Sequence, residues 1–493
     1  MNKTTIITTC LMAAYTIGTN AQSFEWISST EGETWKEQRI SLKASTSQDA
    51  AITTDKNQKD IVTFKAWGTC FNELGWDALN MLPRKQQENI LKQLFSPQGD
   101  MRMTLGRIPM NANDYARNWY SCDEVPGDFE LKYFNIDRDK TTLIPYIKAA
   151  QQYCPDMRFW ISPWSPPSWM KANQYYSVRS DKNVNQMNPK SDVLLYGSKE
   201  QKVDKSVFPQ KLAVTDYLIQ DPRYLQAYAD YFCRFIDAYK AEGIPISTVM
   251  YQNEAWSYTN YPGCAWTVKG IVRFNTEYLG PTLKKKHPEV DLYFGTINTN
   301  RYDFIDEVLS DPLMPKTVKG IGLQWEGRQI LAQLRQKYPS YKYVQTESEC
   351  GWGSFDWKAA EHTFSLMTHY LGNGCEEYTF WNAILADNGV SGWGWKQNAL
   401  IRVDSKRHTA TYTPEYQAVR HYCHYIGNGT RILAFEGAEK NKTPILVTTN
   451  SKGKYVITAG NFNDSAKQVS INLGKKHLTA TLKPHSLNTF VEK

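Results

Sequence analysis

"ISTVMYQNEAWSY", residues 246–258, opens as an apolar, β-branched run (Ile246, Val249, Met250) and breaks into Gln252, Asn253 and Glu254, with Trp256 and Tyr258 just beyond. The first part has the composition of a short buried strand. A strand running out into a polar loop can end this way. A carboxylate held among amides and rings at the end of a buried strand is costly unless it is paired or used. The choice between these readings rests on what the rest of the chain builds around Glu254.

Seven further runs share the pattern: "TFKAWGTCF" (63–71), "MTLGRIPM" (103–110), "MRFWISPWS" (157–165), "VDLYFGT" (290–296), "VKGIGLQWE" (318–326), "YKYVQTE" (341–347) and "EEYTFWNA" (376–383). Between them, "RKQQENILKQLF" (84–95), "LIPYIKAAQQY" (143–153), "PRYLQAYADYFCRFIDAYKAEG" (222–243) and "WKAAEHTFSLMTHYLG" (357–372) place apolar residues three and four apart, the spacing of a helix face. Strand–helix alternation repeated eight times predicts an α/β fold, a (β/α)₈ TIM barrel.

The flanks differ. Residues 22–62 and 426–493 are rich in Thr, Ser and Lys and carry period-two segments such as "GKYVITAGNF" (453–462) and "AKQVSINLG" (466–474). They predict one antiparallel β-sandwich built from both chain ends, with "LKPHSLNTFVEK" as its closing edge strand. The expected division is a leader at 1–21, sandwich at 22–62, catalytic barrel at 63–425 and sandwich again at 426–493. The leader has a lysine, a moderate apolar run and small residues before Gln22, which reads as a secretory signal cleaved near Ala21 and predicts export. No segment reaches the length of a transmembrane helix. Residues 172–212 form a polar insertion too long for an ordinary barrel connection, read either as a disordered excursion or as a loop shaping the substrate cleft.

The net charge of +7 is dispersed, with no basic block longer than "KKK" at 284–286, which argues against nucleic acid as a partner. Beyond Cys10 the cysteines scatter from Cys70 to Cys423, so one or two bridges at most are expected rather than a disulfide framework. No CxxC, HExxH or Asp-rich calcium loop is present, so neither metal nor cofactor is expected.

Polar and aromatic residues collect where the runs end: Arg107, Trp164, Glu254, Gln324, Glu326, Glu347, Trp381 and Asn382. Active sites of such barrels lie at the carboxyl ends of the strands. Glycosidic cleavage needs a proton for a poor leaving group and a partner for an oxocarbenium-like centre. Two carboxyl groups suffice if their surroundings drive their pKa values apart. Asn253 can donate to a substrate hydroxyl, Arg107 can hold one carboxylate ionised, and strand-end rings offer flat faces to sugars. No GxSxG elbow is visible for Ser/His/Asp catalysis.

"GRIPMNANDYA", "SPWSPPSWMK", "YQNEAWSYTNYP" and "TESEC" resemble family 30 of the glycoside hydrolases, the glucosylceramidase-like retaining β-glycosidases. The likeness runs from about Trp67 to the C-terminal sheet with the motifs in order. It implies a barrel with a side β-sandwich, Glu254 as acid/base and Glu347 as nucleophile, and Arg107, Asp114, Trp164, Asn253, Tyr261 and Trp381 in the pocket. Three departures stand out. Ala255 replaces the usual proline after the acid/base, and Gln324-Trp325-Glu326 stands where glucosylceramidase has His-Trp-Tyr. Glu349 offers a second candidate beside Glu347; Glu347 is preferred because it ends the apolar run directly.

The expected activity is that of an exported, metal-independent retaining O-glycosyl hydrolase acting on a β-linked saccharide, β-glucosidic or related. A carbohydrate-binding protein on a degenerate glycosidase scaffold and an endo-acting β-1,6-glucanase or galactanase are the alternatives. Glu326, at the end of the sixth run, is expected to point into the cleft and select among sugars. Trp256 and Trp393 fit loop packing and sugar contact equally well.

Overall fold

The computed structural model describes residues 23–43, 47, 50, 52–192, 215–437 and 443–493. The leader and residues 193–212 of the insertion lie outside the described residues. The eight apolar runs form a closed parallel barrel of β1 (Ala66–Cys70), β2 (Leu105–Met110), β3 (Arg158–Pro163), β4 (Ile246–Met250), β5 (Asp291–Ile297), β6 (Gly320–Gln324), β7 (Lys342–Glu347) and β8 (Glu377–Asn382). Each strand pairs with its neighbours in chain order and β8 returns to β1. Both faces of these strands are covered, one by helices and one by the barrel interior. That is why they read as continuous apolar runs rather than as alternation.

Helices Arg84–Phe95 and Trp357–Gly372 have the expected bounds, while Leu143–Gln151 and Pro222–Ala241 stop two residues early. Their starts are chemically marked: Asp356 caps the Ala359 amide, and Asp221 caps Arg223 with Pro222 in the first turn, as helix N-termini favour. Helices Glu73–Asn80, Tyr302–Leu309, Leu331–Lys337 and Pro414–Cys423 were not foreseen. Each is too short to show more than about two turns of periodicity.

The barrel floor is filled by Ala66, Leu105, Trp160, Met250, Tyr293 and Val344. Gly322 makes room for this packing, since a Cβ there would lie 2.7 Å from both Met250 Sδ and Thr346 Cγ2. With the lower half packed solid, the polar strand ends are confined to the mouth.

The chain ends build the side domain. A seven-stranded antiparallel sheet runs Glu33–Ser41, Ser23–Thr30, Ser486–Glu492, Tyr455–Asn461, Ile445–Thr449, Arg431–Leu433, Asp60–Thr63. A smaller sheet of Lys476–Leu482, Lys467–Leu473 and Ile52–Thr54 shares a core with it through Phe24, Ile457, Ile471 and Phe490. Its pairing of Ile52–Thr54 with Lys467–Leu473 is parallel, the one departure from an antiparallel sandwich. The last strand is not an edge. It lies between Ser23–Thr30 and Tyr455–Asn461, with Leu487 in the barrel core and Phe490 in the sandwich core. Asn488 and Thr489 lend it an edge-like composition, yet both are fully buried. The eight cysteines from Cys70 to Cys423 are buried free thiols.

His421 joins the two units. It is fully buried on helix Pro414–Cys423, one ring nitrogen 2.8 Å from Thr489 Oγ1 and the other 2.9 Å from Ser29 Oγ. Burial, aided by Arg420, holds its pKa down at about 3, so the ring is neutral in the fold. The unfolded chain takes a proton near the ordinary value of 6.5 that the folded chain refuses until about 3. This group's contribution is therefore whole above that upper value and drains as pH falls through the window. Over it, the unfolding free energy of the wild type should fall about 1.4 kcal/mol per pH unit more steeply than that of His421→Gln. Parallel pH profiles in chemical denaturation would show that the ring is not held neutral.

Candidate active site

The chain beyond β4 is laced to its neighbours before it reaches Glu254. The Asn253 amide donates to Pro163 O at the end of β3, and the Thr296 amide on β5 donates to Gln252 O. The Glu254 amide donates to Thr296 O and Oγ1. Under these restraints Glu254 adopts φ +53°, a left-handed conformation that costs a residue with a Cβ about 1–2 kcal/mol. Ala255 does not begin a helix. Its carbonyl accepts from the Trp266 amide, which supplies the restraint that a proline would have given.

Arg107, on β2, is fully buried at the centre of the mouth. Its Nη1 donates to Glu347 Oε2 at 2.6 Å, its Nη2 to Asn253 Oδ1 at 2.7 Å, and Nε and Nη2 to Ser162 Oγ. The guanidinium also lies 4.3 Å from the Trp164 ring, 4.8 Å from Trp160 and 5.2 Å from Trp381, favourable cation–π placements. Glu347 closes β7, and its other oxygen accepts from Trp325 Nε1 at 2.8 Å. Each carboxylate oxygen thus has one fixed donor, one of them charged.

Glu254 is held differently. It accepts from Ser257 Oγ at 2.8 Å, Gln324 Nε2 at 3.0 Å and Tyr261 OH at 3.4 Å, all neutral donors. Burial first, and then the Glu347 charge, push its pKa up to about 7. Asn253 Oδ1 accepts from Arg107, Thr296 Oγ1 and Gln324 Nε2. This fixes the amide orientation and leaves its NH₂ as the end that can donate elsewhere. Trp164 stacks on Trp381 at 5.4 Å and 25°, and Trp381 Nε1 donates to Gln397 Oε1. Asp114 belongs to the same cluster, its pKa raised well above the carboxylate range by burial and by Glu347 and Glu254. It lies in the loop after β2 and caps no helix.

The structure thus brings together Arg107, Asp114, Trp164, Asn253, Glu254, Tyr261, Gln324, Glu347 and Trp381. It does not bring in Glu326. Strand β6 stops at Gln324 and a 3₁₀ turn, Trp325–Ile330, carries Glu326 out to Gln329 and Arg328. Trp325, at φ +45°, takes the inward place instead. Glu349 is likewise engaged elsewhere, by Arg328 and His362. Trp256 is buried against Phe294 and Phe304 as packing. Ser162, Ser257, Thr296, Trp325 and Gln397 were missed as site partners. Of these, Ser162 and Trp325 lay within quoted strand runs, so their position was visible even though their role was not.

The described part of the insertion shapes the rim. The Val178 and Arg179 amides donate to Thr259 O, and Asn185 Nδ2 donates to Asn260 O. Lys171 Nζ, buried beneath, donates to Ser165 Oγ, Ser177 O and Gly263 O. The segment is therefore fastened to the loop that carries Tyr261.

Removing one partner of a buried ion pair leaves an uncompensated charge, at a cost of about 3–5 kcal/mol. Arg107→Met should destabilise the protein by about that amount, and adding Glu347→Gln should restore part of it. Urea denaturation of both variants checks this; a double variant no more stable than Arg107→Met would show that the pair is not what Arg107 holds.

The model of the glycosyl hydrolase family 30 TIM-barrel domain matches residues 64–187 and 217–426. The lysosomal acid glucosylceramidase of Mus musculus is 24% identical over 482 residues, covering 91% of this chain and 85% of that protein. Among solved structures, SrfJ from Salmonella typhimurium superposes with a TM-score of 0.81 at 20% identity, covering 95% of this chain and 99% of that one. An endo-β1,6-glucanase does so with a TM-score of 0.76 at 19% identity, over the same shares. With its closed barrel, its side sheets and two unlike carboxyl groups at the mouth, the chain belongs to glycosyl hydrolase family 30 and is an O-glycosyl hydrolase.

Proposed function

We propose that the chain is an exported, retaining β-glycosidase acting on β-glucosidic or related linkages, with Glu347 as nucleophile and Glu254 as acid/base. The observation that carries this reading is the asymmetry of the two carboxyl groups. Glu347 is paired with a buried guanidinium, whereas Glu254 meets only neutral donors and its pKa is raised. Environments that drive two carboxyl pKa values apart assign the acid and the anion.

In the first step the Glu347 carboxylate attacks the anomeric carbon while the Glu254 proton passes to the glycosidic oxygen. The C–O bond breaks and the alcohol departs. In the second step Glu254, now a carboxylate, takes a proton from water, whose oxygen attacks the same carbon and releases Glu347. Two inversions give net retention. Arg107 and Trp325 fix the direction of attack, and Asn253 can donate to the hydroxyl beside the reacting carbon. The retained pair, Glu254 and Glu347, with Arg107 and Asn253 around it, speaks against a degenerate binding protein.

The β-glucosidic assignment draws on the similarity to a glucosylceramidase and to an endo-β1,6-glucanase, whose names both imply β-linked glucose. A product profile on defined β-linked oligosaccharides tests it, and cleavage confined to other sugars would overturn it. Export draws on the composition of residues 1–21. N-terminal sequencing of protein recovered outside the cytoplasm should begin just after Ala21; an intact leader there would overturn it.

Glu347→Gln should abolish turnover of every substrate, because no glycosyl-enzyme can form. Glu254→Ala should spare substrates with activated leaving groups and be rescued by azide. In the wild type, kcat/KM should fall as pH rises through about 7 and Glu254 loses its proton, a limb absent from Glu254→Ala. Two variants responding alike to leaving group and azide would reverse or void the assignment.

A further inference from the structure

Four loops at the barrel mouth contribute to one aromatic cluster. Trp119 and Tyr120 follow β2, Tyr176 comes from the insertion after β3, Tyr261 follows β4, and Trp393 and Trp395 follow β8. Trp119 stacks on Tyr176 at 5.1 Å and 19°, and Trp393 Nε1 donates to Tyr176 OH at 3.3 Å. The Tyr261 and Trp395 rings meet at 4.4 Å. Rings recruited for packing alone become fully covered, as Tyr228 and Tyr251 are. Here only Trp393 is buried, while Trp119, Tyr176, Tyr261 and Trp395 each keep part of their surface open. The wall cannot easily withdraw, because the insertion is tied to the loop after β4 by Ser177, Val178 and Asn185 and by the buried Lys171 beneath it.

The wall reaches the reacting centre through Tyr261, whose hydroxyl faces Glu254 Oε2. We propose that it is a leaving-group subsite: Tyr176, with Trp119 and Trp395, stacks the sugar ring on the far side of the bond being cleaved. This rests on Glu254 being the acid, since the group that protonates the departing oxygen must face that side. The sugar to be transferred would occupy the enclosed part of the mouth, among Arg107, Trp164 and Trp381, all nearly fully buried. The second ring would meet half-open aromatic faces, whose negative π surface suits the C–H edge of a pyranose. The preferred substrate is then a β-linked oligosaccharide rather than a glycoside with a small aglycone.

Two substrates separate the inference from the reading beneath it. A β-glycosyl fluoride of the accepted sugar places no ring in the proposed subsite; a β-linked disaccharide of the same sugar does. Tyr176→Ala should lower kcat/KM on the disaccharide about tenfold or more while changing the fluoride by less than about twofold. Tyr176→Phe keeps the stacking face and should stay within about twofold of wild type on both. Should Tyr176→Ala not fold, Trp119→Leu, which removes the ring stacked on Tyr176, carries the same expectation. Equal losses on both substrates, no loss on the disaccharide, or a Tyr176→Phe as impaired as the alanine variant would overturn the subsite. A wild-type protein that turns over neither substrate would overturn the glycosidase reading, and the subsite with it.

Discussion

Arg107 places a permanent charge where water cannot reach it, and the mouth of the barrel is organised around meeting its demands. A guanidinium stripped of solvent costs several kcal/mol unless its donors and its charge are matched. Here a carboxylate, an amide oxygen, a serine hydroxyl and three indole faces match it. Those partners come from β3, β7, β8 and the loop after β4, so one side chain sets the spacing of half the barrel's upper rim. Glu347 and Asn253 are oriented by it directly. Glu254, which has no share in that cation, is left with neutral donors and a raised pKa.

Two backbone positions bear the cost of this arrangement. Glu254 and Trp325 both sit in the left-handed region, each just past a barrel strand. Strained residues persist where their surroundings over-determine them. Interstrand hydrogen bonds bracket Glu254, and the Trp325 indole is held by Glu347. The hydrocarbon floor below and the side sheets behind supply the stability that a polar, strained mouth does not.

Much of the architecture was legible in the sequence because barrel strands announce themselves as apolar runs and long helices by their period. The preference for Glu347 over Glu349 followed from where the run stopped, and Glu349 indeed turns to Arg328 and His362. Extending strand alternation past Gln324 placed Glu326 inward, but a left-handed residue at 325 ends the alternation and exchanges the two side chains. Positive φ at a tryptophan has no signature in composition, so Trp325 could not be anticipated. The final strand was misplaced for a related reason. Asn488 and Thr489 look solvent-facing until the barrel is set against them, and burial by another unit leaves no local pattern. Ser257, Thr296 and Gln397 act through contacts between distant loops, which no single run encodes.

The pairing of Ser23–Thr30 with Ser486–Glu492, seen in the bond from Trp26 Nε1 to Asn488 Oδ1 across a separation of 462 residues, has a consequence for biosynthesis. Chains emerge from the ribosome at about 5–20 residues per second, so the earlier strand waits tens of seconds for its interior partner. Through that interval every barrel strand can be completed, while one edge of Ser23–Thr30 stays open to whatever else offers a strand. The side sheet is consequently the last part able to close and the part most exposed to mispairing between nascent chains. Its closure at Phe490 marks the moment when the whole polypeptide has been made.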